Sequence, residues 1–133
     1  MDAVDAIKRG FGHFNRRDWD AIARGLPEDF EAIDRAPVDV LRARGPYALK
    51  TITDANGDTA FADLRMEVLE AFTVELRTDV VLVVVRVAAS ARGGESGAPV
   101  EGEIGQVWTF EGGVPRRCEQ FPTWEQARRA AAP

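Results

Sequence analysis

A chain of 133 residues with 45% hydrophobic composition can bury one core without disulfides or metal, so a single domain spanning 1–133 is expected. Its 22 acidic and 17 basic residues leave a formal charge of -5, and no run of Lys and Arg is long or interleaved with aromatics, which excludes a surface that tracks a nucleic-acid backbone. The single cysteine, Cys118, excludes an internal disulfide, and the opening MDAVDAIKRGF carries acids where a secretory signal would start basic, so a cytoplasmic chain is expected.

Val4, Ile7, Phe11 and Phe14 recur at three- and four-residue spacing, which predicts an amphipathic helix over 3–16 with Asp2 as N-cap. Asn15 to Arg17 end it. Asp18 caps a second short helix with Trp19, Ile22, Ala23 and Leu26 on its apolar face, and Pro27 stops that helix. The two read as a helical hairpin. Phe30 and Ile33 then suit an edge strand or the mouth of a cavity, and 37–57 mixes turn signals, including Asn56-Gly57, with weak helical character at 46–53.

Four strands follow: one around Met66, Val68 and Glu70, a long one over Val80–Ala91, another over Val100–Phe110, and a last over Val114–Phe121. Within the second, VVLVVVRVAA is the most apolar segment of the chain. Arg86 interrupts it and it falls well below the ~20 residues of a membrane helix, so it reads as a buried strand. Its β-branched content also suggests a surface shared by two copies of the chain. The turns 92–97 and Glu111-Gly112-Gly113 join antiparallel neighbours, and Thr123 caps a closing helix. The fold class is α+β, and helices that cannot cover a strongly bent sheet everywhere leave a concavity between the layers.

Within that concavity the candidate residues are polar groups set among apolar ones. Asp34 follows Phe30 and Ile33 at the expected rim, a setting that suits proton transfer, with an exposed loop aspartate as the alternative. Gln106 shares strand parity with Ile104, Trp108 and Phe110, so its amide either binds a ligand or ties two strands. Trp108 and Phe110 suit either a wall for a ring-containing ligand or ordinary packing. Glu119 and Phe121 share a face of the last strand and offer a second polar point beside an aromatic, unless Glu119 pairs with an arginine such as Arg117 or Arg86. His13 falls off the apolar stripe of its helix and reads as a solvated position. Cys118 has no activating histidine, the glycine spacings are not a phosphate fingerprint, and Asp54, Asp58 and Asp63 lack calcium-loop spacing.

The order of elements, together with FGHFNRRDWDAI, PEDFEAID and VWTFEGGVPRRCEQFPTWEQA, resembles the SnoaL-like branch of the NTF2-like superfamily over nearly the whole chain. That resemblance implies a cone with a curved, mixed or mainly antiparallel sheet against three or more helices, one pocket per subunit, and frequent homodimers. It implies no single activity, since members look like polyketide cyclases, ketosteroid isomerases, epoxide hydrolases, dehydratases or binding modules. In the steroid-isomerase pattern Asp34 matches the proton-shuttling carboxylate and Gln106 matches the acid that donates to the oxyanion. The helix-one tyrosine of that pattern falls at or near Gly10, beside Phe11. Loss of one oxyanion donor commonly costs ~3 kcal/mol, so efficient steroid isomerisation is not expected.

Three functions stay open at this point. One is a cofactor- and metal-free enzyme acting on an apolar carbonyl compound, with Asp34 moving a proton, Gln106 orienting a carbonyl or water, and Phe11, Trp108, Phe110, Glu119 and Phe121 around the substrate. Another is a noncatalytic module that binds an apolar or aromatic small molecule in the same pocket. The third is a dimerisation domain whose sheet matters more than its cavity.

Overall fold

The first helix, α1 (Ala3–Asn15), forms where the apolar spacing places it, with the Asp2 carboxylate accepting from the Val4 N–H at 2.9 Å. This computed structural model describes residues 2–35, 39–55, 64–93 and 98–132, with backbone alone for 92, 93 and 98–100. Ile7, Phe11 and Phe14 are the buried stripe of α1. Its last residue, Asn15, clamps the start of the third strand: the side chain donates to the Met66 carbonyl and accepts from the Met66 N–H, both at 2.9 Å. Arg17 turns the chain in the left-handed region (φ 55), and α2 (Trp19–Arg24) starts under an Asp18 cap. Phe14 and Trp19 meet edge to face across the hairpin, with centroids 5.6 Å apart.

Among the described residues, six strands build one mixed sheet in the order β2-β1-β6-β5-β4-β3. They are β1 (Glu31–Asp34), β2 (Leu41–Arg44), β3 (Arg65–Arg77), β4 (Val80–Gly93), β5 (Ala98–Glu111) and β6 (Val114–Phe121), with α3 (Ala48–Ala55) after β2 and α4 (Trp124–Ala131) at the end. Neighbours are antiparallel except β1 and β6, which run parallel. This is the α+β cone expected from the resemblance, with two differences. β2 was not foreseen, and the Phe30–Ile33 segment leads into an interior strand, held between β2 and β6, instead of forming an edge. Of the turn expected at 92–97, Arg92 and Gly93 belong to β4, and 94–97 lie outside the described residues, as do the Asn56-Gly57 turn, Asp58 and Asp63.

The sheet separates two apolar layers. On one face Val83, Val85 and Val87 of β4 join Trp108, Phe110 and Cys118 under Ile7 and Phe11 of α1 and Ala48 and Ile52 of α3. On the other, Leu82, Val84 and Val107 pack under Ala127 and Ala131 of α4. The β-branched run of β4 is thus covered on both faces within one chain, which corrects its reading as a surface between two copies. Gly105 lets α4 approach this closely, because a Cβ there would stand 2.5 Å from the Ala127 Cβ and 2.8 Å from the Thr123 carbonyl oxygen.

Candidate functional site

Register across three strands aligns the polar side chains of the face under α1 and α3. Gln106 on β5 is directly opposite Gln120 on β6, and Gln120 is beside Asp34 on β1. Adjacent strands are ~4.8 Å apart, so side chains in such a row reach one another without leaving the face. They do so here. The Trp108 indole Nε1–H donates to Gln106 Oε1 at 2.9 Å, Gln106 Nε2 donates to Gln120 Oε1 at 2.9 Å, and Gln120 Nε2 donates to Asp34 Oδ2 at 3.1 Å.

The direction of this relay follows from its ends. An indole N–H can only donate and a carboxylate can only accept, so each amide between them must turn its oxygen toward Trp108 and its nitrogen toward Asp34. Either amide reversed would set two donors or two acceptors against each other. Asp34 is 1% exposed and Gln106 6% exposed, so an unmade bond here would not be replaced by bulk water.

Beside the relay lies a cavity of about 550 Å³, within the size range of pockets that hold one drug-sized ligand. Phe11 and Ile7 of α1, Ile52 of α3, and Trp108 and Phe110 of β5 form its apolar wall, and Gln106 and Gln120 are the amides on it. Asp34 does not line the cavity. It lies behind Gln120, whose amide occupies its Oδ2. Gly10 borders the empty space, since a Cβ at that position would meet nothing within 4 Å. His13 also lines the cavity and is half-buried, instead of standing in solvent, and its Nδ1 accepts from the Arg16 guanidinium at 2.8 Å.

Glu119 and Phe121 lie on the far face of the sheet, away from the cavity. Glu119 sits between the guanidinium groups of Arg35 and Arg117, and Phe121 packs beside Val107 and Leu82. The cause is one residue. The two-residue turn Gly112-Gly113, with φ of 58 and 80, pairs Glu111 with Val114 and Phe110 with Pro115. Continued evenly, that pairing would set Gln106 opposite Glu119. Between Phe110 and Thr109 the partner jumps from Pro115 to Arg117, leaving Arg116 as an extra residue, so Gln120 turns to the cavity. Sequence reasoning missed Gln120. Its signal was Pro115, which cannot donate to a ladder and is tolerated at bulges and edges.

Cys118 stands one row from the relay, opposite Trp108 and beside Ala32. Burial pushes its thiol well above the ordinary range, with Asp34 and Glu119 adding in the same direction. Among the described residues no group of three or more His, Cys, Asp or Glu could hold a metal ion, and no helix is long and apolar enough to cross a membrane.

No protein-family model matches the chain, and no curated protein sequence matches it. Solved structures do. A cystatin-fold protein from Novosphingobium aromaticivorans superposes with a TM-score of 0.68 at 19% identity, covering 91% of this chain and 98% of the other. A proposed polyketide cyclase from Sinorhizobium meliloti gives 0.59 at 24% identity, covering 87% and 93%. A Catenulispora acidiphila protein with a ketosteroid isomerase-like fold, in complex with trimethylamine, gives 0.65 at 12% identity, covering 90% and 84%. An NTF2-like protein with a cystatin-like fold, also from Novosphingobium aromaticivorans, reaches 0.67 at 20% identity over 87% and 76%. The helices, the mixed sheet and these superpositions agree that the chain has the NTF2-like, cystatin-type fold.

Proposed function

We propose that the chain binds one apolar, ring-bearing small molecule with a polar oxygen in the cavity between α1, α3 and the sheet. The observation that carries this reading is an apolar cavity of about 550 Å³ whose wall holds two amides fixed in orientation by the relay. Each amide keeps one N–H and one lone pair outside the relay, enough to orient a carbonyl or hydroxyl. A thermal-shift screen of aromatic, polyketide-like and steroid-like ketones tests it. At least one should raise the melting temperature saturably, and Trp108→Ala should weaken that binder ~10-fold or more by removing apolar contact. A panel without a binder would sink the reading.

A second reading, a proton-transfer isomerase or aldol-type cyclase of SnoaL-like type, is favoured by a separate observation. The Gln120 amide lines the cavity and donates to Asp34 Oδ2, so its rotation would uncover a carboxylate beside bound substrate. Structural neighbours described as a proposed polyketide cyclase and as having a ketosteroid isomerase-like fold support it. Solvent-deuterium exchange into a bound ketone distinguishes the two readings. An enzyme should exchange, and Asp34→Asn should slow it ~100-fold in a folded protein. Binding without exchange leaves the module. A homodimer also belongs to our reading, with its surface on the β3 edge, where Leu69 and Leu76 are 47% and 53% exposed.

A further inference from the structure

His13 is the one histidine of the chain, and it lines the cavity from α1. Helical spacing puts it there. Ile7, Phe11 and Phe14 are the buried stripe of α1, and Ala6, Gly10 and His13 repeat the same steps one position earlier, so they make the adjacent row. All three border the empty space. Ala6 contributes a methyl and Gly10 no side chain, so the row is a shallow trough in the helix, and His13 is its member with a polar group.

The state of that ring is set from outside the cavity. The guanidinium of Arg16, an exposed residue, meets His13 Nδ1 at 2.8 Å. A guanidinium has donors and no acceptor, so this bond requires a lone pair on Nδ1, which leaves the proton of the imidazole on Nε2. Among the described residues no protein group accepts from Nε2–H, so it is left for whatever fills the cavity.

The remaining polar side chains of the wall offer something different. Gln106 and Gln120, on the sheet, each keep a donor and a lone pair. The Thr53 hydroxyl donates to the Leu49 carbonyl at 2.8 Å and has lone pairs left. Arg9 and Arg24 are exposed, where water competes for their donors. His13 is thus a half-buried group that can only donate, on the wall that faces the sheet. We propose that His13 Nε2–H selects the ligand from the helical wall, so that the ligand is a ring compound with two oxygens, one on the Gln106 and Gln120 amides and a second, acting as acceptor, on His13. Arg16 is a positioning residue that works through the tautomer. This rests on the small-molecule reading above and adds a second polar point to the ligand and the residue that reads it.

Two probes of nearly one shape isolate the contact. 2,6-Diacetylnaphthalene and 2-acetyl-6-isopropylnaphthalene both bring a carbonyl to the amides, and only the first has an acceptor at its other end. By calorimetry the diacetyl probe should bind about 3- to 10-fold more tightly, the worth of one neutral hydrogen bond. In His13→Phe that preference should vanish. Arg16→Leu, at an exposed position, keeps the imidazole and frees its proton to choose either nitrogen, so the preference should shrink there without vanishing. With a single histidine, both ring nitrogens can be followed in a long-range proton–nitrogen spectrum with no competing signal, at about pH 8, where an ordinary imidazole is neutral. The parent should carry its proton on Nε2, the diacetyl probe should move that nitrogen more than the isopropyl probe does, and Arg16→Leu should show both tautomers. A proton on Nδ1 in the parent, equal affinities for the two probes, or a preference that survives His13→Phe overturns the proposal and leaves the small-molecule reading standing. If neither probe binds and a ketone of the panel does, that ketone replaces them, and an Nε2 signal it leaves unmoved overturns the proposal in the same way. Binding by neither probe, with the panel also silent, overturns both.

Discussion

Trp108 and Asp34 do not bond to each other, yet they fix the same two amides: the indole N–H begins the chain that the Asp34 carboxylate ends. Gln106 and Gln120 between them have no freedom to reverse without unmaking a buried bond. Trp108→Phe and Gln106→Met should therefore each destabilise the fold by about 1–3 kcal/mol, the first including a contribution from the smaller ring. Their double mutant should cost less than the sum by at least ~0.5 kcal/mol in urea unfolding. Additivity would mean that the relay does not act as a unit.

Gly10 offers a cleaner probe of the cavity than any wall residue. It lies in α1 beside empty space, so Gly10→Ala should stabilise the fold by about 0.5–1 kcal/mol through helix propensity alone. Gly10→Phe should leave a folded protein whose ring fills the cavity, and binding of any cavity ligand should fall ~10-fold or more. Unchanged affinity in folded Gly10→Phe would place the ligand elsewhere.

Gly105 should behave in the opposite way. Its missing Cβ is what admits α4, and the obstruction includes the Thr123 backbone, which cannot rotate aside. Gly105→Ala should cost about 1–3 kcal/mol and loosen α4, visible as faster amide exchange over 124–131. Gly102→Ala, on the same strand with nothing within 4 Å, is the control and should lie within about 0.5 kcal/mol of the parent.

Cys118 ties stability to alkaline pH. Its thiol is raised in the folded protein, so the unfolded chain loses its proton first as pH climbs past the ordinary value of 9.0. The contribution to stability is fully present below that value and is lost above it, by at most about 1.4 kcal/mol per pH unit. Cys118→Ala should flatten this part of the curve of unfolding free energy against pH. Alkylation of the native thiol by iodoacetamide at pH 8 should proceed only as fast as the protein opens.

Light scattering at micromolar concentration should report about twice the 14.6 kDa chain mass for the proposed homodimer. Leu69→Lys/Leu76→Lys should return it to the monomer mass with the fold intact, because both side chains are exposed on β3. A monomer at all concentrations would remove the dimer and leave the cavity untouched.

The parts that sequence made legible are those set by local rules. Asp2, Asp18 and Thr123 cap helices as their residue types suggest, and the apolar spacing of α1 and the alternation through β5 placed the right side chains toward the cavity. What stayed hidden depends on partners distant in the chain. The pairing of β1 with β6, 86 residues apart, makes Asp34 a buried neighbour of Gln120, and nothing within EDFEAID announces it. β2 alternates half-buried and exposed residues over LRAR, too short and too charged to register as a strand. Gln120 was lost to a parity error that one irregular residue caused.

That residue gives hairpin length more leverage over this cavity than most single substitutions have. Inserting one residue between Arg116 and Arg117, with the turn and the bulge kept, would shift the ladder by one and exchange the faces of residues 117–121. The cavity floor would then receive Glu119 in place of Gln120, the arginine pair that now shields Glu119 would lose it, and Phe121 would leave the layer under α4. A chain of this fold can thus pass from a neutral floor to an acidic one by gaining a single codon. When homologues of this chain are compared, the number of residues between the Gly-Gly turn and the final Phe should say more about what they bind than the identity of any one residue there.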